Sequence, residues 1–482
     1  MADQFDVIVC GAGTAGQPAA TFASRRGANV LLVDLAPHLG GNTQYSTGQM
    51  SAAGTRLQAE KGIQDSPDKH FSDIMRISHG TADRGIVRLA VDNAADTLHW
   101  LLDNGLELLP EMPVIFKGHE PYSIARTYWG PDGGGRPLQK TLGAEVNKEI
   151  EGGNITLLLE TEVIGLVQQD SGTITGITVR TKEGEEKEFH GKNILLSMGG
   201  CASNEEKFLE YAGYPLWKGG GVFGSHPFAN GKGHELGLQA GGYIRYQDSF
   251  LPTFARVKDP DHPEYCSNVT NISNTSIFGP RRDLWEIFVN WEGERFVCED
   301  SESPDERENA LITIPDLTFW AVYDQGIREA APASFFTQMS YAEADPLFNV
   351  HESFKKSDSL SELAISMGVQ PDGLENTVER YNNFVEVGED SDFNRSSLPA
   401  KIGAGPFYGV KHHGLSITSF AGLAVNEGLQ VIREDGTAIS GLYAAGETLG
   451  LGVTSGKAFC GGMALTPGMT FGRLLGQELW QW

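Results

Sequence analysis

The beginning of the chain constrains its fold most strongly, because two apolar segments enclose a glycine-rich turn and a helical pattern. FDVIVC (5–10) predicts a strand, GAGTAG (11–16) follows directly, and NVLLVD (29–34) predicts a second strand that ends on an acid. The residues in between predict a helix that ends at Gly27. This βαβ order with a GxGxxG turn is typical of dinucleotide-binding proteins, and at this point NAD and FAD fit it equally well.

Each glycine of this turn has a physical reason to be there. Gly11 permits a tight turn, Gly13 lets the backbone approach a pyrophosphate at the helix N-terminus, and Gly16 allows close packing of helix on strand. Asp34 stands where a carboxylate can accept hydrogen bonds from an adenosine ribose. The alternative is a glycine turn without a ligand, but the strands, the helix and the acid together favour dinucleotide binding.

Composition narrows the class of protein. The chain has 482 residues, enough for two domains or for one domain with an insertion, and a formal net charge of −26. Such a negative field disfavours nucleic acid and anionic membrane surfaces as partners. The five cysteines are scattered and include no CxxC pair, so we predict neither a metal site nor a covalent haem.

The N-terminus, MADQFDVIVC, enters an apolar strand without a basic leader pattern. No later run reaches the ~18 apolar residues that a membrane span requires. We therefore expect a cytoplasmic protein that does not insert into membranes.

Further motifs follow in order along most of the chain. They are LGGNTQYSTGQMSAAGT (39–55), LLSMGG (195–200), GKGHELGLQAGG (231–242), NWEGERFVCED (290–300) and GLYAAGE (441–447). Through these motifs and the opening turn, the sequence resembles the fumarate reductase and succinate dehydrogenase flavoprotein family. Its C-terminal stretch LTPGMTFGR is similar to the 3-ketosteroid Δ1-dehydrogenase and tricarballylate dehydrogenase branches of that family.

The resemblance implies FAD rather than NAD as the cofactor. Membrane-bound members attach the flavin through a histidine, whereas this chain has Asn42, so we expect noncovalent FAD. The helix that begins in CGGMALTPGMTFGR would direct its N-terminus at the flavin N1 and C2 carbonyl and stabilise the reduced anion. The expected cofactor-binding residues are Gly11, Gly13, Ala15, Gly16, Asp34, Gly41, Asn42, Thr43, Ser46, Gly48, Val163, Gly446, Glu447, Gly462, Ala464 and Leu465.

The resemblance also implies the domain organisation. We expect an α/β fold, in which a Rossmann-like FAD-binding domain carries an inserted α+β capping domain. The FAD-binding domain would comprise residues 1–245 and return at 415–482, and the cap would comprise 246–414. Within the cap, DLTFWAVYDQGIREAAP predicts a strand and then a helix, and the segment after residue 358 predicts two helices broken at VQPDG.

The substrate-binding positions of the family are only partly present. Arg295, in GERF, matches the arginine that we take as the family's proton donor. Three charged residues of the dicarboxylate clamp are replaced, by Leu251, Thr418 and Phe459. Fumarate is therefore not the expected substrate.

The proton that accompanies hydride transfer needs a side chain within hydrogen-bond reach of a substrate carbon. Our candidates are Tyr128 and Arg295, with His413 of the pair His412–His413 to polarise a substrate oxygen. The alternatives are a buried aromatic for Tyr128, an ion pair with Glu299 or Asp300 for Arg295, and a structural role for the histidines.

Other side chains are weaker candidates for the site. They are Tyr122 and Tyr246 for proton transfer, Trp129, Trp285, Phe250 and Phe459 for an apolar pocket, and Arg281 and Arg282 for a carboxylate. The favoured function is FAD-dependent desaturation of the α,β C–C bond of a carbonyl compound such as a cyclic ketone, with an external electron acceptor. The alternatives are an ene reductase of an unsaturated carboxylate with an external donor, and a flavoprotein subunit of an electron-transfer complex.

Overall fold

The computed structural model describes residues 4–131, 135–214, 227–259, 266–267, 283–301, 303–331, 335–336, 339–415 and 418–481. The strands are β1 (Gln4–Cys10), β2 (Val30–Val33), β3 (Met50–Ser51), β4 (Thr127–Tyr128), β5 (Ile155–Leu158), β6 (Glu162–Gln168), β7 (Ile174–Arg180), β8 (Glu186–Leu196), β9 (Ile244–Arg245), β10 (Thr253–Lys258), β11 (Cys266–Ser267), β12 (Ile287–Val289), β13 (Thr318–Asp324), β14 (Phe354–Ser357), β15 (Phe407–Leu415), β16 (Gly422–Leu423), β17 (Gln430–Ile432) and β18 (Ala438–Ala444).

Helices connect these strands and cover the sheets. They are α1 (Gly16–Arg25), α2 (Arg56–Glu60), α3 (Pro67–Ile77), α4 (Arg84–Asp103), α5 (Arg136–Glu151), α6 (Glu205–Ala212), α7 (Lys232–Gln239), α8 (Pro304–Ile312), α9 (Gln325–Ala330), α10 (Tyr341–Ala344), α11 (Leu347–Val350), α12 (Leu360–Met367), α13 (Pro371–Val387), α14 (Gly452–Ser455) and α15 (Leu465–Leu474). Within the described residues, no helix combines the length and the apolar character needed to cross a membrane.

The larger sheet contains the predicted βαβ unit. Its strands run in the order β17-β18-β8-β1-β2-β5, and β7 and β6 extend it from β8. Strand β1 pairs in parallel with both β2 and β8, and β8 pairs in parallel with β18. Because β1 lies between two parallel neighbours, its apolar residues 7–10 are fully buried. The expectation of a Rossmann-like α/β fold is confirmed.

The last long helix packs on the first. Helix α15 contacts α1 through glycines, since a Cβ atom at Gly472 would lie 2.0 Å from the carbonyl oxygen of Ala15. A Cβ atom at Gly476, just after α15, would lie 2.5 Å from the carbonyl oxygen of Ala19. Only glycine allows so close an approach of the two backbones, which places the beginning of α15 beside the glycine-rich turn.

A second sheet is built from residues 253–415. Its order is β11-β10-β15-β13-β12, β14 also pairs with β15, and all its pairings are antiparallel. The predicted pair of helices is present as α12 and α13, because left-handed Gly368 ends the first and Pro371 occupies the first turn of the second. Helices alongside an antiparallel sheet match the expected α+β cap.

One apolar cluster joins the two sheet systems. It combines Phe254, Phe288 and Phe319 of the second sheet with Phe420 and Leu451 of the segment that follows it. Through this cluster the second sheet makes an apolar contact with residues that lie before and after the last strands of the larger sheet. The exact division at residues 245 and 414 remains our proposal.

Candidate active site

Two adjoining cavities lie at the carboxyl ends of the parallel strands, where ligands bind in open α/β sheets. The first cavity encloses about 840 Å³ and the second about 1090 Å³. Thr14, Asn42, Gly446 and Glu447 line both, so the cavities meet along these residues. Together they form one elongated cleft that begins at the βαβ turn and ends at α15.

The glycine-rich turn fits a pyrophosphate. Gly11 has φ +105°, and a Cβ atom there would lie 2.3 Å from the carbonyl oxygen of Ser197. At Gly16 a Cβ atom would lie 1.8 Å from the carbonyl oxygen of Gly11, so the helix packs tightly on the turn. Gly13 differs, because a Cβ atom would meet nothing within 4 Å and would project into the open space beside the first cavity, which Gly13 lines. That space is where a phosphate can approach the backbone.

Asp34 lies in the wall of the first cavity, as an adenosine-ribose ligand requires. Its two carboxylate oxygens accept hydrogen bonds from the backbone N–H groups of Ala12 (2.6 Å) and Ala36 (2.8 Å). Burial, the largest effect, raises the pKa of Asp34 despite these donors. The two bonds fix the carboxylate in position at the end of β2.

Glu447 connects three segments at the junction of the cavities. Its Oε2 accepts a hydrogen bond from the side-chain amide of Asn42 (2.7 Å). Its Oε1 accepts from the Thr418 hydroxyl and from the backbone N–H of Ser419, both at 3.0 Å. Burial is the largest effect on Glu447 and raises its pKa. This carboxylate therefore holds the Asn-Thr loop and the segment after β18 in one arrangement.

The second cavity fits the flavin ring. Gly462, Met463, Ala464 and Leu465 line it, and α15 begins at Leu465. The first N–H groups of a helix have no partner within it and carry the positive end of the helix dipole. A group that gains negative charge on reduction is stabilised at such a position. The wall thus fits the electron-rich edge of a reduced flavin.

Most of the predicted cofactor residues line the two cavities, and three do not. Gly16 packs against the turn, Thr43 contacts the Thr14 hydroxyl through its own at 2.7 Å, and the N–H of Gly48 donates to the Ser46 hydroxyl at 3.1 Å. Their part is to shape the walls. The predicted residues that line a cavity are Gly11, Gly13, Ala15, Asp34, Gly41, Asn42, Ser46, Val163, Gly446, Glu447, Gly462, Ala464 and Leu465.

Tyr128 does not line either cavity. Its side chain is 0% exposed, and its hydroxyl lies 2.6 Å from the hydroxyl of Thr55. Burial raises the pKa of Tyr128 above its usual value. Tyr128 is thus a buried aromatic, which was the alternative interpretation, and its side chain does not reach the wall of either cavity.

Arg295 is held in a buried ion-pair cluster. Its guanidinium donates two hydrogen bonds to Glu299, at 2.8 and 2.7 Å, and one to Asp390 at 2.7 Å. Asp300 instead accepts from Ser396. Glu299 and Asp390 neutralise the charge of Arg295, and none of the three residues lines either cavity. Arg295 therefore stabilises the cap. The geometry favours the ion pair with Glu299, which was the alternative interpretation of Arg295, over the role of proton donor.

His413 lies within β15, opposite Arg256 of β10. It is buried, and burial is the main reason why the pKa of His413 falls to about 3. His412 contacts the carbonyl oxygen of Val410 through Nδ1 at 2.9 Å. Neither histidine lines the two cavities, so the structure does not bring His413 to the flavin site.

The weaker candidates from the sequence differ in whether they line a cavity. Phe459 and Thr418 line the second cavity, whereas Trp129, Trp285 and Phe250 pack in apolar clusters elsewhere. The two other candidate tyrosines do not line the cavities: the Tyr122 hydroxyl donates to the carbonyl oxygen of Gly461 at 2.7 Å, and the Tyr246 hydroxyl accepts from Arg245 at 3.1 Å. Arg281 and Arg282 lie outside the described residues.

The structure also brings together three residues that the sequence did not predict. The imidazole of His119 stacks on Phe459, with ring centroids 4.0 Å apart. Its Nδ1 lies 3.6 Å from Glu308 Oε2 and 3.9 Å from Asp305 Oδ1. The two acids are three residues apart at the beginning of α8, a spacing that places them on the same side of a helix and can be read from the sequence. Nothing in the sequence links them to His119.

Comparison with known proteins agrees with this geometry. The family described as FAD binding domain matches residues 6–463. The chain is 29% identical to a fumarate reductase (cytochrome) of Shewanella frigidimarina, covering 99% of this chain and 77% of that protein. It is 28% identical to a vinyl phenol reductase of Lactiplantibacillus plantarum, covering 98% and 96%.

A solved structure supports the fold. The 3-ketosteroid Δ1-dehydrogenase of Sterolibacterium denitrificans superimposes with a TM-score of 0.77 at 18% identity, over 99% of each chain. The predicted resemblance to the fumarate reductase flavoproteins and the prediction of FAD are confirmed. The chain belongs to the FAD binding domain family and is an FAD-dependent oxidoreductase.

Proposed function

We propose that the protein moves two hydrogens across a C–C bond, and that its substrate is a small uncharged compound whose double bond is conjugated with a carbonyl or aryl group. The observation that carries this proposal is the lack of a cationic side chain in the described wall of the second cavity. Among the described residues that line it, none is a lysine, an arginine or a histidine. Because binding of a dicarboxylate requires cationic partners, the wall favours a neutral substrate.

The residues around Phe459 support the same conclusion. Phe459, Leu451 and Val453 give this wall an apolar surface, while Gln49 and Thr418 offer hydrogen bonds. A few polar groups within an apolar lining are suited to orient one carbonyl or hydroxyl oxygen of a small molecule. The net charge of −26 also opposes the approach of polyanions.

When bound, FAD supplies or accepts a hydride at N5. The chain's own part is to hold the ring, since the N-terminus of α15 stabilises negative charge at one edge of the ring. The second sheet and its helices would limit the access of water to the reacting carbon. We further propose that FAD is bound noncovalently, because Asn42, whose amide donates to Glu447, offers no nucleophile to the flavin.

The direction of the reaction rests on other observations. Both relatives named above are reductases, which supports reduction of a C=C bond by electrons from a separate donor. Desaturation of a saturated ketone with an external acceptor is the second candidate, because the apolar side chains of this wall accommodate the saturated and unsaturated forms of such a substrate equally. A flavoprotein subunit that depends on a partner chain is the third.

The test is an anaerobic half-reaction followed by flavin absorbance. Chemically reduced holoprotein is mixed with neutral enones, vinyl phenols, fumarate and aconitate, and the return of the oxidised flavin band is timed. We expect a neutral compound to reoxidise the flavin at least about tenfold faster than either polycarboxylate, as one lost charged hydrogen bond of about 1.5–3 kcal/mol implies. Faster reoxidation by fumarate would contradict the neutral substrate.

The complementary experiment mixes oxidised holoprotein with the corresponding saturated ketones. Bleaching by a ketone, together with no reoxidation by enones, would establish the desaturase instead. A protein that reacts with neither set until an iron–sulfur partner is added would be an electron-transfer subunit. Flavin released by denaturation without proteolysis establishes the noncovalent state.

A further inference from the structure

Three buried polar atoms face one another beside the second cavity without hydrogen bonds. They are Nδ1 of His119, Oδ1 of Asp305 and Oε2 of Glu308, none of which has a hydrogen-bond partner in the part of the chain that the structure describes. All three lie within 4.8 Å of one another. Buried polar atoms nearly always have hydrogen-bond partners, so three that contact one another only at ion-pair distances need a functional explanation.

The cluster is close to the flavin site. The His119 ring lies against Phe459, which lines the second cavity, and it also approaches Phe116 at 5.8 Å between ring centroids. The His119 side chain keeps 13% of its surface exposed, whereas those of Asp305 and Glu308 are buried. The imidazole is therefore one ring away from the cavity, and the acids stand behind it.

The charges around His119 come from several elements. Asp305 and Glu308 belong to α8, Arg256 belongs to β10, and Glu120 and Cys460 lie beside Asp305. Burial lowers the pKa of His119, but Glu308 and Asp305 outweigh burial and Arg256, so that its pKa is raised overall. Burial first, and Glu308 second, raise the pKa of Asp305 to about 7. The cluster can thus hold and exchange a proton near neutral pH.

We propose that His119 exchanges the proton with the substrate carbon next to the one that exchanges hydride, and that Glu308 and Asp305 are positioning residues. This inference rests on the proposed function. Nδ1 faces the carboxylates, so the exchange is assigned to Nε2, which the substrate would approach beside the Phe459 ring. A carboxylate at Nδ1 fixes the tautomer and orientation of the ring, as in other acid–base histidines.

The step balances in both directions. In reduction, the hydride from reduced FAD forms one C–H bond, and the π-electron pair of the alkene takes the proton from the imidazolium to form the other. His119 becomes neutral and keeps the hydrogen on Nδ1, which faces the carboxylates, and its Nε2 regains a proton from solvent after the product leaves. In desaturation, neutral His119 removes the proton while the hydride leaves for oxidised FAD.

A divalent cation is the competing occupant, since one imidazole nitrogen and two carboxylate oxygens are a possible ligand set. The proximity of Arg256 opposes it, because a second positive charge would be added to a buried site. A zinc titration of the FAD-loaded protein decides between them. Stoichiometric zinc binding that is lost in His119→Gln would overturn the proton role.

The kinetic test uses the anaerobic half-reaction with the neutral compound that reacts fastest. His119→Gln should slow it by about 10²-fold or more at unchanged FAD content, which is the usual contribution of an acid–base group. His190→Gln, at a surface histidine of β8, is the matched control and should leave the rate unchanged. A rate for His119→Gln within twofold of the parent would refute the proposal.

The second readout does not depend on turnover. The imidazole pKa of His119 is followed by NMR with labelled histidine, assigned by its loss in His119→Gln. Glu308→Gln should shift this pKa downward and move the alkaline limb of the half-reaction, where the imidazolium loses its proton, to lower pH by the same amount. No shift in either would contradict positioning by Glu308. If no compound reacts at all, the proposed function is refuted, but the effect of Glu308→Gln on the pKa of His119 can still be measured by NMR and tests the positioning role separately.

Discussion

The side-chain amide of Asn42 donates a 2.7 Å hydrogen bond to Glu447, a residue 405 positions later in the chain. This bond joins the loop after β2 to the segment after β18 at the point where the two cavities meet. Each cavity wall therefore depends on residues from both ends of the described chain.

We predict that Asn42→Ala weakens FAD binding by about tenfold or more. Asn42 and Glu447 both line the two cavities, so removal of the amide takes a polar group from the cofactor wall and leaves the Glu447 carboxylate without the donor that positions it there. A hydrogen bond to a charged group contributes about 1.5–3 kcal/mol. The measurement is the dissociation constant from flavin fluorescence quenching. Asn29→Ala, which removes an exposed amide bonded to the carbonyl oxygen of Gln4, serves as the control. Equal affinity in the two variants would show that the Asn42 bond is dispensable.

Gly13→Ala should separate cofactor binding from folding. The added methyl group meets no protein atom within 4 Å, so the FAD-free protein should melt within a degree or two of the parent. It occupies the space that a pyrophosphate needs, so FAD binding should be largely lost. Gly16→Ala is the contrasting variant, because its Cβ would overlap the carbonyl oxygen of Gly11 and should lower the melting temperature even without FAD. An FAD-replete Gly13→Ala protein would place the phosphates elsewhere.

Tyr128→Phe should leave the flavin half-reaction within about twofold of the parent rate. The phenol is buried and bonded to Thr55, and its loss removes one neutral hydrogen bond of about 1 kcal/mol. The expected effect is a small decrease in melting temperature with an unchanged flavin spectrum. A tenfold slower half-reaction at full FAD content would restore Tyr128 as the proton-handling group.

The stability of the protein should depend on pH through His413. Burial is the main cause that lowers the pKa of His413 to about 3, and Lys411 and Lys258 act in the same direction. An unfolded histidine titrates near ~6.5, so the unfolded state binds more protons between about pH 6.5 and 3, and stability falls as pH falls through this window. His413 alone contributes a slope of up to about 1.4 kcal/mol per pH unit.

His413→Gln should therefore flatten the pH dependence of the free energy of unfolding, measured by urea denaturation between pH 4 and 7. The surface variant His190→Gln should keep the parent slope. Parallel curves for the parent and His413→Gln would mean that the pKa of His413 is the same in the folded and unfolded protein.

The parts that could be predicted from the sequence are those encoded locally. The βαβ unit follows from an apolar pattern and three glycines within 34 residues, and the flavin loop follows directly after it. Asp34, Asn42 and Glu447 are placed by such local motifs, and each lies in a cavity wall as expected.

The proton-handling residues could not be predicted in this way. Arg295 and Glu299 are four residues apart and could be paired from the sequence. The second partner of Arg295 in this buried cluster, Asp390, is 95 residues away and could not. His119 meets Asp305 and Glu308 only through the packing of α8 on a loop far from it in sequence. A single sequence carries no sign of such a contact.

The close packing of α15 on α1 also has a consequence for synthesis of the protein. The glycines that allow it, and the residues that complete the flavin wall, all follow residue 461. A chain still emerging from the ribosome can thus fold its first βαβ unit while the place for the isoalloxazine is open on one side. Flavin capture must wait until the residues after 461 have left the ribosome, so cofactor supply acts only after this segment has been synthesised.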